Sequence, residues 1–190
     1  MRFVYQIRLI GLLLGLCACA GRLGHPAGLP ENRAEVHLYL LIGQSNMAGR
    51  GAIAAEDTLT HARVWMLNQA NQWVPAKAPL HFDKPAVVGV GPGLAFGKEM
   101  AAAAPQATIG LIPCAVGGSP VAAWQPGAYY EPTRSYPYDD ALRRAREAAK
   151  RGTLKGILWH QGESDSRPES IGTYLTNLEA LIGRLRQDLG

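Results

Sequence analysis

A serine directly after an apolar stretch is the first residue of this chain whose position suits covalent chemistry. Ser45 follows the strand-like residues 36–42 and lies within a segment that reads GQSNMAGRG. A serine at a sharp turn from a strand to a helix exposes its hydroxyl group and has backbone N–H groups beside it. The segment therefore favours acyl transfer, although Met47 stands where a G-x-S-x-G turn has its second glycine. A serine that merely caps a helix is the alternative interpretation.

Two later segments contain donors that suit a developing oxyanion. Gly117 and Gly118 have backbone N–H groups without side chains in the way, and Gln161 has a side-chain amide. A preorganised donor of this kind contributes about 2.7–4 kcal/mol in the transition state. The alternatives are an ordinary turn for the two glycines and a structural hydrogen bond for Gln161. Together with Ser45, these donors predict a site for acyl transfer.

These residues must be positioned by strands and helices that alternate along the chain. Short apolar stretches predict strands at residues 36–42, 62–67, 107–116 and 156–159. Amphipathic or alanine-rich stretches predict helices at residues 93–104, 139–151 and 168–189. The alternation predicts an α/β fold with a parallel sheet. Sites in such sheets form at the carboxyl ends of the strands, so the three polar segments are expected at one edge.

The first 34 residues predict an export signal and a tether. A basic start is followed by an apolar run and then by the sequence CACA, which is typical of a secretory signal. Cleavage after Ala20 would release a secreted protein, whereas LCAC resembles a bacterial lipobox in which Cys19 receives a lipid. A buried N-terminal helix is the third interpretation. We therefore expect a signal peptide at residues 1–20, a Gly- and Pro-rich tether at 21–34 and a domain at 35–190.

Composition and charge argue against several other classes of protein. The chain has 190 residues, of which 47% are hydrophobic and 18% charged, so a disordered chain is excluded. When Arg2 and Arg8 of the signal are left out, 17 of the 19 basic residues remain, against 15 acidic residues. The resulting net charge of +2 gives no reason to expect nucleic acid as a partner. The histidines are too scattered for a zinc site. The expected location is the periplasm, the outer membrane through a lipid on Cys19, or the medium.

Two sequence blocks together resemble a known family. QSNMAG at residues 44–49 and WHQGESD at residues 159–165 each follow a predicted strand. In this order they resemble the SGNH-type carbohydrate esterases of the sialate O-acetylesterase and acetyl-xylan esterase group, with their SASA domain. The resemblance runs from about residue 36 to residue 190. It implies a three-layer α/β/α sandwich with a parallel, flavodoxin-like sheet, and serine-dependent removal of O-acetyl groups from sugars without a metal or organic cofactor.

The resemblance also assigns roles to the residues with acyl-transfer chemistry. Ser45 matches the nucleophile of the family. The backbone N–H of Ser45, a glycine at Gly117 or Gly118, and the amide of Gln161 match its oxyanion hole. Ser45 would attack an acetyl carbonyl after a histidine takes its proton, and water would then hydrolyse the acetyl-enzyme.

Five further residues are expected around the nucleophile. Glu163 matches an acid that matters for function in the family, where it orients a histidine or holds the loops of the site. Asn46 and Arg50 match motif positions and are interpreted as shaping the nucleophile turn, with contact to substrate as the alternative. Trp124 is the expected sugar contact of an aromatic loop, and packing of that loop is its alternative. His160 is expected to contact substrate or to have a structural role, and a role as the general base is its alternative.

The histidine that would complete such a site has no match in the chain. In the family this histidine lies in a D-x-x-H segment near the C-terminus, and the last residues here contain no such segment. His160 is the one histidine near the predicted edge, and it matches a motif histidine that is not the base. We therefore expect a fragment that lacks the C-terminal part of the esterase fold and hydrolyses acetyl esters poorly. A non-catalytic exported carbohydrate-binding relative and an esterase of other acyl specificity are the alternatives.

Overall fold

The computed structural model describes residues 28–190, which form one five-stranded sheet with helices beside it. The strands are β1 Val36–Gly43, β2 Val64–Leu67, β3 Trp73–Pro75, β4 Thr108–Pro113 and β5 Thr153–His160. The helices are α1 Ser45–Ala48, α2 Pro92–Ala103, α3 Pro137–Ala149 and α4 Pro168–Leu189. The predicted signal peptide, its lipobox and the first part of the tether lie outside the described residues. No helix of the described part is long and apolar enough to cross a membrane.

The order of the strands in the sheet is β3-β2-β4-β1-β5. β1 pairs in parallel with β4 and β5, and β2 pairs in parallel with β4. The short β3 runs antiparallel to β2. The predicted α/β fold with a largely parallel sheet is confirmed. Because β1 lies between β4 and β5 and runs parallel to both, the loops that follow these three strands leave the sheet at the same edge.

The central strand β1 is buried on both of its faces. Leu38, Leu40 and Ile42 pack with residues of α3 and α4 on one side. Tyr39 and Leu41 point to the other side, where they pack with residues of α2. Side chains alternate between the two faces of a strand, so a strand with a core on each side is apolar along almost its whole length.

The chain already packs onto the domain before residue 35. Leu29, within the predicted tether, is buried against the core that contains residues of α3 and α4. The guanidinium of Arg33 donates a hydrogen bond of 2.6 Å to the carbonyl of Ala149 at the end of α3. The later part of the predicted tether is therefore attached to the folded domain.

The edge of the sheet at β5 is less covered than its centre. The residues of β5 are exposed or half-buried, whereas those of β1 are almost all buried. Ile171, Leu175 and Ile182 belong to the apolar stripe of α4, yet their side chains are exposed. Leu181 and Leu185 of the same helix are buried. Within residues 28–190 no strand pairs with the outer side of β5.

Candidate active site

Ser45 lies at the turn from β1 to α1, where it is half-buried. Gly43 precedes it with a φ of 132°, and a side chain there would collide with the carbonyl group of His160. The N–H of Gln44 donates a hydrogen bond of 2.9 Å to that same carbonyl. Glycine at position 43 therefore lets the ends of β1 and β5 lie side by side and directs the chain into α1 at Ser45.

Two backbone N–H groups at this edge are available to stabilise negative charge. In residues 28–190 neither the hydroxyl nor the N–H of Ser45 has a hydrogen-bond partner. The N–H of Gly118 is also unpartnered in that part of the chain, and its φ of 83° is a conformation that favours glycine. Gly117 differs, because its N–H donates to Oδ2 of Asp83 at 2.8 Å. Of the two glycines predicted for the oxyanion hole, Gly118 is the one with an available donor.

Gln161 connects the segments around Ser45 and has no free amide hydrogen to offer. Its Nε2 lies 3.1 Å from Oε1 of Gln44, 3.2 Å from the carbonyl oxygen of Ser119 and 2.5 Å from Oδ2 of Asp165. An amide nitrogen has two hydrogens, so these three acceptors take up its donor capacity. The contacts of Gln161 connect these segments in the structure, and its role as an oxyanion donor stays a prediction.

Asp165 and Ser164 extend this connection to the loop after β4. Asp165 is buried, and its Oδ2 also accepts a hydrogen bond of 2.8 Å from the N–H of Val121. The hydroxyl of Ser164 donates to the carbonyl of Gly118 at 3.0 Å, and its N–H donates to Oε1 of Gln44 at 3.2 Å. These bonds bring the loops after β1, β4 and β5 together. The sequence analysis missed the roles of Gln44 and Asp165, although both lie within the two motif blocks.

Asn46 and Glu163 join the nucleophile turn to the loop after β5. Nδ2 of Asn46 donates a hydrogen bond to Oε1 of Glu163, and both residues are exposed. His160, at the end of β5, is exposed as well. No histidine of the described chain donates to Glu163, so its role in orienting a histidine stays a prediction. The contact from Asn46 agrees with the interpretation of this residue as one that shapes the turn.

A buried carboxylate that the sequence analysis missed joins the nucleophile turn to the glycine loop. Oδ2 of Asp83 accepts hydrogen bonds from Nη2 of Arg50 and from the N–H of Gly117, both at 2.8 Å. The side chain of Asp83 is 1% exposed and that of Arg50 is 26% exposed. Nη1 of Arg50 also donates to the carbonyl of Gly49 at 2.7 Å. Asp83 therefore holds the glycine loop against the turn that contains Ser45, and no motif around residue 83 indicates this.

Asp83→Ala is expected to lower the free energy of unfolding by about 1–3 kcal/mol, since the buried N–H of Gly117 would lose its acceptor. Water compensates for part of the lost ion pair, because Arg50 is partly exposed. Asp83→Asn keeps an oxygen acceptor for Gly117 and is expected to cost less. Urea unfolding followed by circular dichroism measures both variants. Glu147→Ala, at the exposed ion pair with Lys150, is the control that should change nothing measurable. Equal losses for the alanine and asparagine variants would contradict this role of Asp83.

His81 is a buried histidine at the same edge, and its imidazole is neutral. Its Nδ1 accepts a hydrogen bond of 3.2 Å from the N–H of Ala115. Burial lowers the pKa of His81 to about 3; the carboxylate of Asp83 opposes this shift, and the charges of Arg144 and Arg50 add to it. Neither His81 nor another histidine of residues 28–190 hydrogen-bonds to Ser45. Residues 28–190 thus place the hydroxyl of Ser45 near unpartnered backbone N–H groups, and no histidine of this part of the chain is bound to that hydroxyl.

Trp124 corrects one expectation of the sequence analysis, because it cannot contact a sugar. Its side chain is fully buried in the core, and its Nε1 donates a hydrogen bond of 2.9 Å to the hydroxyl of Ser119. Its ring packs edge-on against Trp159 with 5.3 Å between the ring centroids. The exposed aromatic residues of this loop are Tyr129 and Tyr136, whose rings lie 5.1 Å apart. Trp124 therefore packs the loop onto the domain, which was the alternative interpretation.

Comparison with known proteins finds similarity to a family of carbohydrate esterases. The family described as carbohydrate esterase, sialic acid-specific acetylesterase, matches residues 35–190. A probable carbohydrate esterase of Arabidopsis thaliana is 34% identical over 181 residues, which are 85% of this chain and 65% of that protein. The chain therefore spans somewhat less than two thirds of the length of this plant relative.

Three solved structures have a similar fold. The crystal structure of a protein from Arabidopsis thaliana matches with a TM-score of 0.72 and 34% identity, over 84% of this chain and 70% of that one. The structure of NanS matches with a TM-score of 0.65 and 20% identity, over 85% and 63%. A carbohydrate acetylesterase from Xanthomonas citri matches with a TM-score of 0.55 and 21% identity, over 82% and 39%. At these identities the last two show similarity of fold alone.

Proposed function

Because the chain belongs to the family of sialic acid-specific acetylesterases among the carbohydrate esterases, we propose that it removes O-acetyl groups from carbohydrates by serine-dependent hydrolysis. One observation carries this proposal. The hydroxyl of Ser45 is unpartnered at a strand-to-helix turn, at the edge where the N–H groups of Ser45 and Gly118 are unpartnered as well, all within residues 28–190. Helices that pack on both faces of the sheet support the three-layer arrangement of SGNH hydrolases.

The proposed reaction proceeds through an acetyl-enzyme. Oγ of Ser45 attacks the acetyl carbonyl carbon while a base takes the hydroxyl proton. The N–H groups of Ser45 and Gly118 would donate to the oxygen of the tetrahedral intermediate. The intermediate collapses, the sugar oxygen takes up the proton, and the deacetylated sugar leaves. Water then attacks the acetyl ester of Ser45, which releases acetate and restores the serine hydroxyl.

Turnover by this chain depends on whether a base is available to the hydroxyl of Ser45. His81 is buried with its Nδ1 on the N–H of Ala115, and His160 is exposed at the end of β5 without a bond to Ser45. We therefore propose that residues 28–190 do not provide the base. Loss of the base in another serine hydrolase costs on the order of 10⁶ in rate, so turnover is expected to be slow. Imidazole added to the solution can take the place of a histidine side chain.

The experiment measures acetate released by the full chain from an O-acetylated sialic acid and from an acetylated xylo-oligosaccharide. Both reactions are run with and without imidazole, and Ser45→Ala is run beside the wild type. Acetate release that depends on Ser45 and on imidazole would support both the esterase and the missing base. Release that depends on Ser45 without imidazole would support the esterase and contradict the missing base. The sugar that is deacetylated faster assigns the substrate class.

A non-catalytic carbohydrate-binding relative is the second candidate, because no described histidine is bound to Ser45. If acetate release shows no dependence on Ser45 under either condition while the acetylated sugars bind, the binding protein is supported and the esterase is contradicted. Hydrolysis of longer acyl esters at a higher rate than acetyl esters would instead support an esterase of other acyl specificity. Equilibrium dialysis with the same acetylated sugars measures the binding.

A further inference from the structure

Two polar side chains from outside the motif blocks lie in front of Gly118. A Cβ atom at position 118 would lie 3.1 Å from the hydroxyl oxygen of Tyr130 and 3.8 Å from Nζ of Lys84. Because the backbone nitrogen and a Cβ are each about 1.5 Å from Cα, both groups lie no more than about 7 Å from the nitrogen of Gly118. The N–H of this nitrogen is the one that the proposed reaction uses as an oxyanion donor.

The ammonium of Lys84 is a positive charge without a carboxylate partner. None of the ion pairs within residues 28–190 includes Lys84. The adjacent carboxylate, that of Asp83, is already paired with Arg50 and accepts the N–H of Gly117. The side chain of Lys84 is half-buried, so water screens its charge less than that of a fully exposed lysine. This charge is therefore available to an anion in front of the glycine loop.

The phenol of Tyr130 is a neutral donor in a fixed position. Its backbone N–H donates a hydrogen bond of 2.8 Å to the carbonyl of Ser135, and its ring packs against the core. The tyrosine hydroxyls that form hydrogen bonds within residues 28–190 are those of Tyr138 and Tyr174, so the hydroxyl of Tyr130 is unpartnered there. Burial raises the pKa of Tyr130, and its hydroxyl keeps its proton at neutral pH.

We propose that Lys84 and Tyr130 extend the oxyanion hole and stabilise the negative charge that develops when Oγ of Ser45 attacks the acetyl group. This inference deepens the proposed esterase function and rests on it. The N–H groups of Ser45 and Gly118 donate to the oxyanion, while Lys84 adds a full positive charge and Tyr130 adds a third donor. Groups that are already in place need no reorganisation during the reaction. The acetate that is finally released is also an anion, and it is expected to bind among the same groups.

Titration of the ¹⁵N-labelled full chain with acetate tests this site without any need for ester hydrolysis. Acetate is expected to shift the amide signals of both Ser45 and Gly118, and the shifts give its dissociation constant. Lys84→Met removes the charge and is expected to weaken acetate binding at least about tenfold, since a charge-assisted hydrogen bond contributes that much. Lys84→Arg keeps the charge and is expected to restore most of the affinity. Lys77→Met, at an exposed lysine after β3, is the control and should bind acetate as the wild type does.

A second pair of variants tests the hydroxyl of Tyr130. Tyr130→Phe keeps the ring in the core and removes the donor, so acetate binding is expected to weaken about fivefold, the equivalent of one neutral hydrogen bond. Tyr129→Phe is the control, because that ring is exposed and lies against Tyr136. In the acetate-release assay with imidazole, Lys84→Met and Tyr130→Phe are expected to lower kcat more than they raise KM, since the ester itself is neutral.

Three results would overturn the proposal. The first is a titration in which acetate shifts neither the Ser45 nor the Gly118 amide. The second is equal acetate affinity of Lys84→Met and Lys77→Met, with circular dichroism confirming the fold of both. The third is Ser45-dependent acetate release that Lys84→Met leaves unchanged, which would support the esterase and exclude this role of Lys84. Lys84-dependent acetate binding without any Ser45-dependent release would support the anion site and contradict the esterase, so the two failures are distinguishable.

Discussion

Ser45→Ala is expected to reduce the acetate release that imidazole supports to the level of buffer alone. The variant removes the oxygen that would attack the acetyl carbonyl, and the oxyanion donors cannot replace a nucleophile. In the presence of a held base, loss of such a serine costs on the order of 10⁶ in rate. The difference here is smaller because dissolved imidazole is not positioned, and we expect at least about a tenfold drop. Acetate assay at matched protein and imidazole concentrations measures it.

The same variant should leave the fold intact, which separates chemistry from stability. Ser45 is half-buried and its hydroxyl has no hydrogen-bond partner in residues 28–190, so its loss should change the free energy of unfolding by less than about 0.5 kcal/mol. Ser170→Ala is a matched control, because that hydroxyl bonds only to the carbonyl of Arg167 at the start of α4. Loss of activity in both serine variants would contradict Ser45 as the nucleophile.

The long helices could be predicted from the sequence because their ends have local signals. Pro92, Pro137 and Pro168 each stand in the first turn of a helix, where the missing N–H of proline costs nothing. The predicted bounds differ from the structure by at most two residues for the corresponding helices. β3 was missed, since it has three residues and ends in a proline. The turn that leads into β3 has Asn71 at a φ of 57°. No apolar periodicity in the sequence indicates this strand.

The meeting of the motif blocks was predictable, but the partners of individual side chains were not. Strand order and parallel pairing bring residues 44–46 next to residues 161–165, as expected for the carboxyl edge of a sheet. Whether the amide of Gln161 keeps a free hydrogen depends on its contacts with Gln44, Ser119 and Asp165, and these contacts form only in the folded chain. Asp83 lies in a loop without strand or helix period. Its link to Gly117 is a contact between residues 34 positions apart.

Trp124 shows where the sequence pattern misleads about a site. The aromatic loop after the glycine pair suggested sugar-binding rings, because aromatic faces suit sugars and the loop follows the predicted edge. The structure instead uses the largest ring of the loop to attach it to the core, through Ser119 and Trp159. The rings that stay exposed are those of Tyr129 and Tyr136. Burial of one aromatic residue fixes the loop that presents the others.

Trp124→Ala is expected to lower the free energy of unfolding by about 3–5 kcal/mol. A fully buried tryptophan loses its transfer free energy and leaves a cavity when it is truncated, and the packing against Trp159 is lost as well. Trp124→Phe keeps most of the volume but not the hydrogen bond to Ser119, so a smaller loss is expected. Urea unfolding followed by far-ultraviolet circular dichroism measures both, since fluorescence would change with the tryptophan itself.

Tyr129→Ala is the matched control in the same loop, because that ring is about half exposed and should cost less than about 1 kcal/mol. A stability loss at Trp124 with little loss at Tyr129 would confirm that the first ring belongs to the core. The opposite pattern would contradict it: a Trp124→Ala variant as stable as the wild type but with weaker binding of acetylated sugar would return Trp124 to the substrate surface. Stability and sugar binding must both be measured, because an unfolded loop also weakens binding. Only a comparison of the free energies of unfolding and of binding separates a ring that holds the loop from a ring that contacts the sugar.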